Sequence, residues 1–198
     1  TAGDGGGNKI AYSNDGKSWI GIPNIPLINH GNCISWNGQK WIVGGQGGMV
    51  MSSDGLEWTG IEYSDQMFNN ISGIANNGSI WVAIGTGNND SMAWSENGIK
   101  WYGLGLKLFT QGYSVEYNGT YWVATGFGSN NFAYSEDGKI WIGGEIKDFY
   151  GDDIFGIDLA WNSKMWIVVG KSNGNNPNMY YSTNGMTWTC LLYTSPSP

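Results

Sequence analysis

Among side chains able to do chemistry in this 198-residue chain, acids dominate: 16 Asp and Glu stand against nine lysines, one histidine, two cysteines and no arginine. A glycosidase needs two carboxyl groups roughly 5 to 10 Å apart, and Glu62 with Asp152 or Asp153 is a pairing the sequence allows. Calcium takes several carboxylate and carbonyl oxygens. Glu145, Asp148, Asp152, Asp153 and Asp158 offer carboxylates without EF-hand spacing, so calcium is the alternative to the expectation of an acidic loop with no cofactor. The lone His30 gives neither a recognisable Ser-His-Asp set nor a multi-histidine metal site. Cys33 and Cys190 lie at opposite ends of the chain and read as two unpaired thiols. A net charge of −7 with no basic stripe excludes the counterion-release term behind nucleic-acid binding. Apolar runs as short as Trp166 to Val169 exclude a membrane helix.

The elements that must position these residues repeat. Ser-x-Asp/Asn-Gly-x-x-Trp occurs five times, starting at Ser13, Ser52, Ser95, Ser135 and Ser182, at spacings of 39, 43, 40 and 47. Between its copies runs a second pattern, usually aromatic-Asn-Gly-x-x-Trp with glycine four residues on. Its copies are Trp36 to Gly45, Asn76 to Gly85, Tyr117 to Gly126 and a looser Trp161 to Gly170. Asn-Gly and Asp-Gly supply the positive φ that tight hairpins require, so each unit predicts four strands. In the second unit these fall at about 32–36, 39–44, 49–52 and 57–61. Segments such as Trp81-Val82-Ala83-Ile84 are apolar on both faces, so each sheet must be covered twice. Stacked neighbours do that, and four-stranded units of about forty residues predict an all-β fold, a β-propeller of about five antiparallel blades. All 12 tryptophans sit at repeat positions and are assigned to the packing between blades.

The Ser-x-Asp-Gly-x-x-Trp copies resemble the Asp-box, or BNR repeat, of sialidase-like propellers, with one residue fewer between aspartate and glycine and with Asn97 and Asn184 in two copies. The resemblance implies that Asp15, Asp54, Asn97, Asp137 and Asn184 brace the turn between the two outer strands. Asparagine keeps the acceptor without the charge, which fits bracing and not catalysis. Sialidases of that family clamp a substrate carboxylate with arginines, and lysine reproduces that bidentate geometry poorly. With no arginine here, the chain is expected not to be an enzyme. The repeats also look like those of viral and bacterial surface proteins, which implies an extracellular, cell-surface or virion location.

Strand parity divides the loops. One end of the sheets carries the constant tight turns; the other carries loops whose lengths vary, where repeat proteins usually bind. The candidate ligand residues on that variable end are Tyr63, Phe68, Asn69, Asn88, Asn89, Asp90, Phe109, Tyr113, Phe149, Tyr150, Asp152 and Asp153. Aromatics beside amides and carboxylates suit sugar hydroxyls, so the expected function is lectin-like carbohydrate binding. A protein-interaction or architectural scaffold is the alternative. Sequons at Asn70, Asn77, Asn89 and Asn118 act only on a eukaryotic secretory route.

The expected organisation is one domain over 1–190: a half blade at 1–22, then blades at 23–61, 62–104, 105–144 and 145–190. Residues 191–198 resemble translated sequencing-adapter sequence and are expected to lie outside the fold. The half blade predicts a fragment of a larger ring, with edge-to-edge oligomers as one consequence.

Overall fold

The computed structural model of the chain describes residues 2–5, 7–147, 154–172 and 177–191. Strands β1 (Ala2–Gly5), β2 (Asn8–Tyr12) and β3 (Ile20–Ile22) form an antiparallel sheet. A second sheet runs β4 (His30–Trp36), β5 (Trp41–Gln46), β6 (Gly48–Ser52) and β7 (Thr59–Gly60). After the short α1 (Ser64–Met67), a third runs β8 (Asn70–Asn76), β9 (Trp81–Thr86), β10 (Met92–Ser95) and β11 (Tyr102–Gly103). The fourth holds β12 (Gln111–Tyr117), β13 (Trp122–Phe127), β14 (Phe132–Ser135) and β15 (Ile142–Gly144). The fifth holds β16 (Ile154–Trp161), β17 (Trp166–Ser172), β18 (Pro177–Ser182) and β19 (Thr189–Cys190). Each is an antiparallel meander in sequence order, and one pairing, Gln46 with Asn70, ties the second sheet to the third.

Two differences from expectation have local causes. The first sheet has three strands, not two, because the glycine-rich start pairs with β2 and packs on β4, as β5 packs on β8. The outer strand expected at 57–61 shrinks to Thr59–Gly60. Asp54 Oδ1 accepts the N–H groups of Leu56 and Glu57, which removes those donors from the ladder.

Every inner strand slips register at one equivalent place, between Gly31 and Cys33, Ile71 and Gly73, Gly112 and Ser114, and Gly156 and Asp158. Such bulges leave one residue unpaired and re-aim it. Asn32 Nδ2 donates to the Ile71 carbonyl at 3.0 Å and Ser72 Oγ to the Gly112 carbonyl at 2.7 Å, so these two bulged side chains hook the next sheet. The glycine that ends the second motif belongs to this feature: a Cβ on Gly45 would collide with the His30 carbonyl, and one on Gly85 with that of Asn70.

Four apolar clusters fill the spaces between successive sheets. Trp81, Trp122 and Trp166, at one motif position, are fully buried there. The outer-strand tryptophan of each sheet packs back against the sheet before it: Trp58, Trp101, Trp141 and Trp188 do so, while Trp19 is 53% exposed.

Candidate functional site

The serine motif builds the same turn five times. Ser52 Oγ accepts the Gly55 N–H at 2.8 Å and donates to Asp54 Oδ1, which also accepts two backbone N–H groups at 2.8 and 2.9 Å. The Trp58 indole closes the turn by donating to the Gly55 carbonyl. Asp15, Asn97, Asp137 and Asn184 repeat the Oδ1 bonds. Backbone N–H groups, led by that of Ser18, hold the Asp15 carboxyl down at about 2, and those led by Glu57 and Ile140 lower Asp54 and Asp137. These acids are committed acceptors at exposed turns, with no geometry for proton transfer.

At the variable end the predicted residues divide. Phe68 and Phe109 are corrected from ligand platforms to core: both are fully buried, the first under the second and third sheets, the second under the third and fourth. Asn69 and Asn88 bond each other at 3.2 Å. Asp90 accepts the Gly105 N–H at 2.8 Å, fixing the loop after β11. Asn89 is exposed, and Tyr113 is half-buried with its phenol pKa raised by desolvation. Phe149, Tyr150, Asp152 and Asp153, with Asp148, lie outside the described residues. Of the remaining acids proposed for calcium, Glu145 faces Lys147 at 3.4 Å and Asp158 accepts from Ser114 Oγ at 2.8 Å. Cys33 is a poor nucleophile: burial pushes its thiol up to about 12.

Tyr63 stands apart. It holds a left-handed backbone at φ 64° and is 66% exposed. It borders a groove of about 650 Å³ at the outer edge between the second and third sheets, walled by Met51, Ile61, Met67, Ile99 and Trp101, with Glu62 and Lys100 also lining it.

A second, shallow depression of about 460 Å³ lies where the inner strands β4, β8, β12 and β16 reach their tight turns. Sequence reasoning missed its main polar group, Glu116. The signal was present: equivalent positions read Ser35, Ala75, Glu116 and Ala160, so one copy in four carries a charge.

Consecutive four-stranded antiparallel sheets, each packed on the next through its inner strands, define a propeller-like all-β architecture. The chain is similar to one in a solved structure titled "Crystal structure of Nidogen/Laminin Complex", with a TM-score of 0.64 and 13% identity over 87% of this chain and 68% of that one. At that identity the likeness is one of fold. No protein-family model matches the chain, and no curated protein does.

Proposed function

We propose that the chain is a non-catalytic β-propeller recognition module of about five blades, related to Asp-box repeats, whose ligand is a protein segment bound in the Tyr63 groove. The groove carries this reading. Its methionines adapt to irregular apolar partners, its aromatic rings offer anchors, and Glu62 and Lys100 supply opposite charges for register. The propeller-like fold also supports it, since the similar structure is a complex by its title. The acids of the repeat are spent on turns, which speaks against hydrolysis.

Carbohydrate binding is the second reading, favoured by the exposed Tyr63 ring on the end that also presents the Asn89 amide. One experiment separates the two. Peptides selected by phage display are tested on the wild-type protein, Tyr63→Ala and Met67→Ser, alongside a glycan array. The protein reading expects peptides with apolar anchors whose affinity falls about tenfold or more in Tyr63→Ala. Peptides indifferent to both substitutions, or saturable binding on the glycan array alone, would overturn it.

A further inference from the structure

The interface between the first and second sheets departs from the other three. Trp81, Trp122 and Trp166 are at most 1% exposed, but Trp41, at the same motif position, is only half-buried. The motif glycine beside each tryptophan shows what differs. A Cβ on Gly98 would meet Ile42 at 2.8 Å, one on Gly138 would meet Ile80 at 3.1 Å, and one on Gly185 would meet Val123 at 2.8 Å. Each of these aliphatic residues stands at or just before the start of the second strand of the preceding four-stranded sheet. A Cβ on Gly55 would meet nothing nearer than the Trp41 indole of its own sheet, at 3.7 Å.

Strand register gives the reason. Met51, just before the motif serine of the second sheet, pairs with Ile42 on β5. Its counterpart Tyr12 pairs with Ile20 of β3 on one side, while the described pairing of β1 with β2 spans only Asn8 to Ile10. Among the described residues no strand stands opposite Tyr12 on the β1 side. A cleft of about 360 Å³ lies there, with Ile10, Tyr12, Ile34, Trp41, Leu56 and Trp58 in its lining. That volume falls within the roughly 300 to 1,000 Å³ typical of ligand sites.

The lining and the strand edge together decide what fits. The apolar walls favour an aliphatic side chain taken out of water. The edge of β2 offers main-chain hydrogen bonds, and an extended peptide uses both: pairing supplies affinity and the pocket reads alternate side chains. The sibling interface also shows what the neighbouring residue contributes. Lys40, two residues before Ile42, donates from Nζ to the Asn97 carbonyl at 2.9 Å, and the equivalent carbonyl, that of Asp54, has no donor among the described residues.

We propose that this cleft is a binding site for an extended peptide segment of a separate polypeptide, which adds to the β1 side of β2 and places a branched aliphatic side chain over Gly55 and Trp41. The segment reproduces in trans the contact that Ile42 makes beneath the third sheet. The site is separate from the Tyr63 groove, which lies between the second and third sheets.

The test is titration of the isotope-labelled chain with a peptide of its own residues 38–42, acetyl-Gly-Gln-Lys-Trp-Ile-amide, which ends where β1 begins in the shared register. Saturable shifts are expected at the Tyr12 and Gly55 amides and the Trp41 indole N–H, with the Tyr63 amide unmoved. Aspartate in place of the peptide's isoleucine is expected to weaken binding about tenfold or more. Successive N–H groups of a strand point to opposite sides, so methylating both the Trp and the Ile nitrogen removes one that faces β2. That peptide is also expected to bind about tenfold or more weakly. No saturable shift at millimolar peptide, or shifts confined to the Tyr63 groove, overturns the proposal. Unchanged affinity of either altered peptide does so as well.

Discussion

One position in the repeat behaves in opposite ways in the middle of the array and at its last sheet. Met49, Met92, Phe132 and Met179 each stand three residues before the motif serine, on the face each sheet turns toward its successor. Met92 is 1% exposed beneath the fourth sheet, whereas Met179 is 44% exposed. Val169 and Ile84 differ in the same way, and Trp19 repeats the contrast on the opposite face of the first sheet. Strand, register and residue type are shared, so the difference comes from the neighbour. A single sheet of this repeat buries almost nothing by itself, and the core exists only between sheets, as in repeat proteins whose stability is a sum over nearest-neighbour interfaces.

The sharpest way to break that comparison is to put the same charge at both places. Met92→Glu forces a carboxylate into a sealed apolar cluster and is expected to cost about 4 kcal/mol, a large share of the roughly 5 to 15 kcal/mol that keeps a domain folded. Met179→Glu is expected to stay within about 0.5 kcal/mol. Urea denaturation measures both, and similar losses would show that the face of the fifth sheet is buried in solution.

The turns allow a finer comparison. Ser135 is buried and Ser13 is not, though each accepts the N–H of the motif glycine, at 2.9 and 2.8 Å. Ser135→Ala strands a buried donor on Gly138 and is expected to cost about 1 to 3 kcal/mol. In Ser13→Ala water replaces the hydroxyl, and the loss is expected below about 1 kcal/mol. Equal midpoint shifts in chemical denaturation would mean that the bond itself, and not its burial, sets the cost.

These contrasts explain what could be read in the chain. The hairpins were legible because tight turns need a positive φ that glycine and asparagine tolerate, as at Gly55 with φ 78°. The tryptophan positions were legible because only inter-sheet packing recurs whatever the loops do. Phe68 and Phe109 misled because a loop aromatic shows its type in sequence but not its direction, and both turn inward. The strand β1 was missed since Ala2–Gly5 has no side-chain pattern to alternate; its place follows from packing on β4, a long-range contact. Tyr63 was legible as a candidate ligand residue and is exposed, but its groove joins residues from two sheets, and no spacing within one unit contains it. Glu116 lies on an inner strand of constant length, at a position where the other copies carry Ser35, Ala75 and Ala160, so loop-length variation does not point to it.

The smallest expected effect separates the three aspartate turns from the two asparagine ones. In Asp15, Asp54 and Asp137 the folded protein holds the carboxylate below its ordinary pKa through donated backbone N–H groups. A depressed folded value means that the unfolded chain takes up a proton first as pH falls. The stabilisation is therefore complete above the ordinary carboxylate value near pH 4, and for Asp15 it is lost on descent toward about 2. Asn97 and Asn184 make the same two backbone bonds and do not titrate in this range. A triple variant, D15N/D54N/D137N, keeps the acceptors and removes that pH response. Thermal midpoints measured from pH 6 to pH 2 are expected to fall more steeply for the wild-type protein than for the variant. The raised value of Glu116 works in the opposite sense but is common to both proteins, so it drops out of their difference. Because these turns are exposed, salt and water screen the charge contribution and the separation is expected to be modest. Parallel curves would show that the aspartates act only as oxygen acceptors, interchangeable with asparagine at every turn of the array.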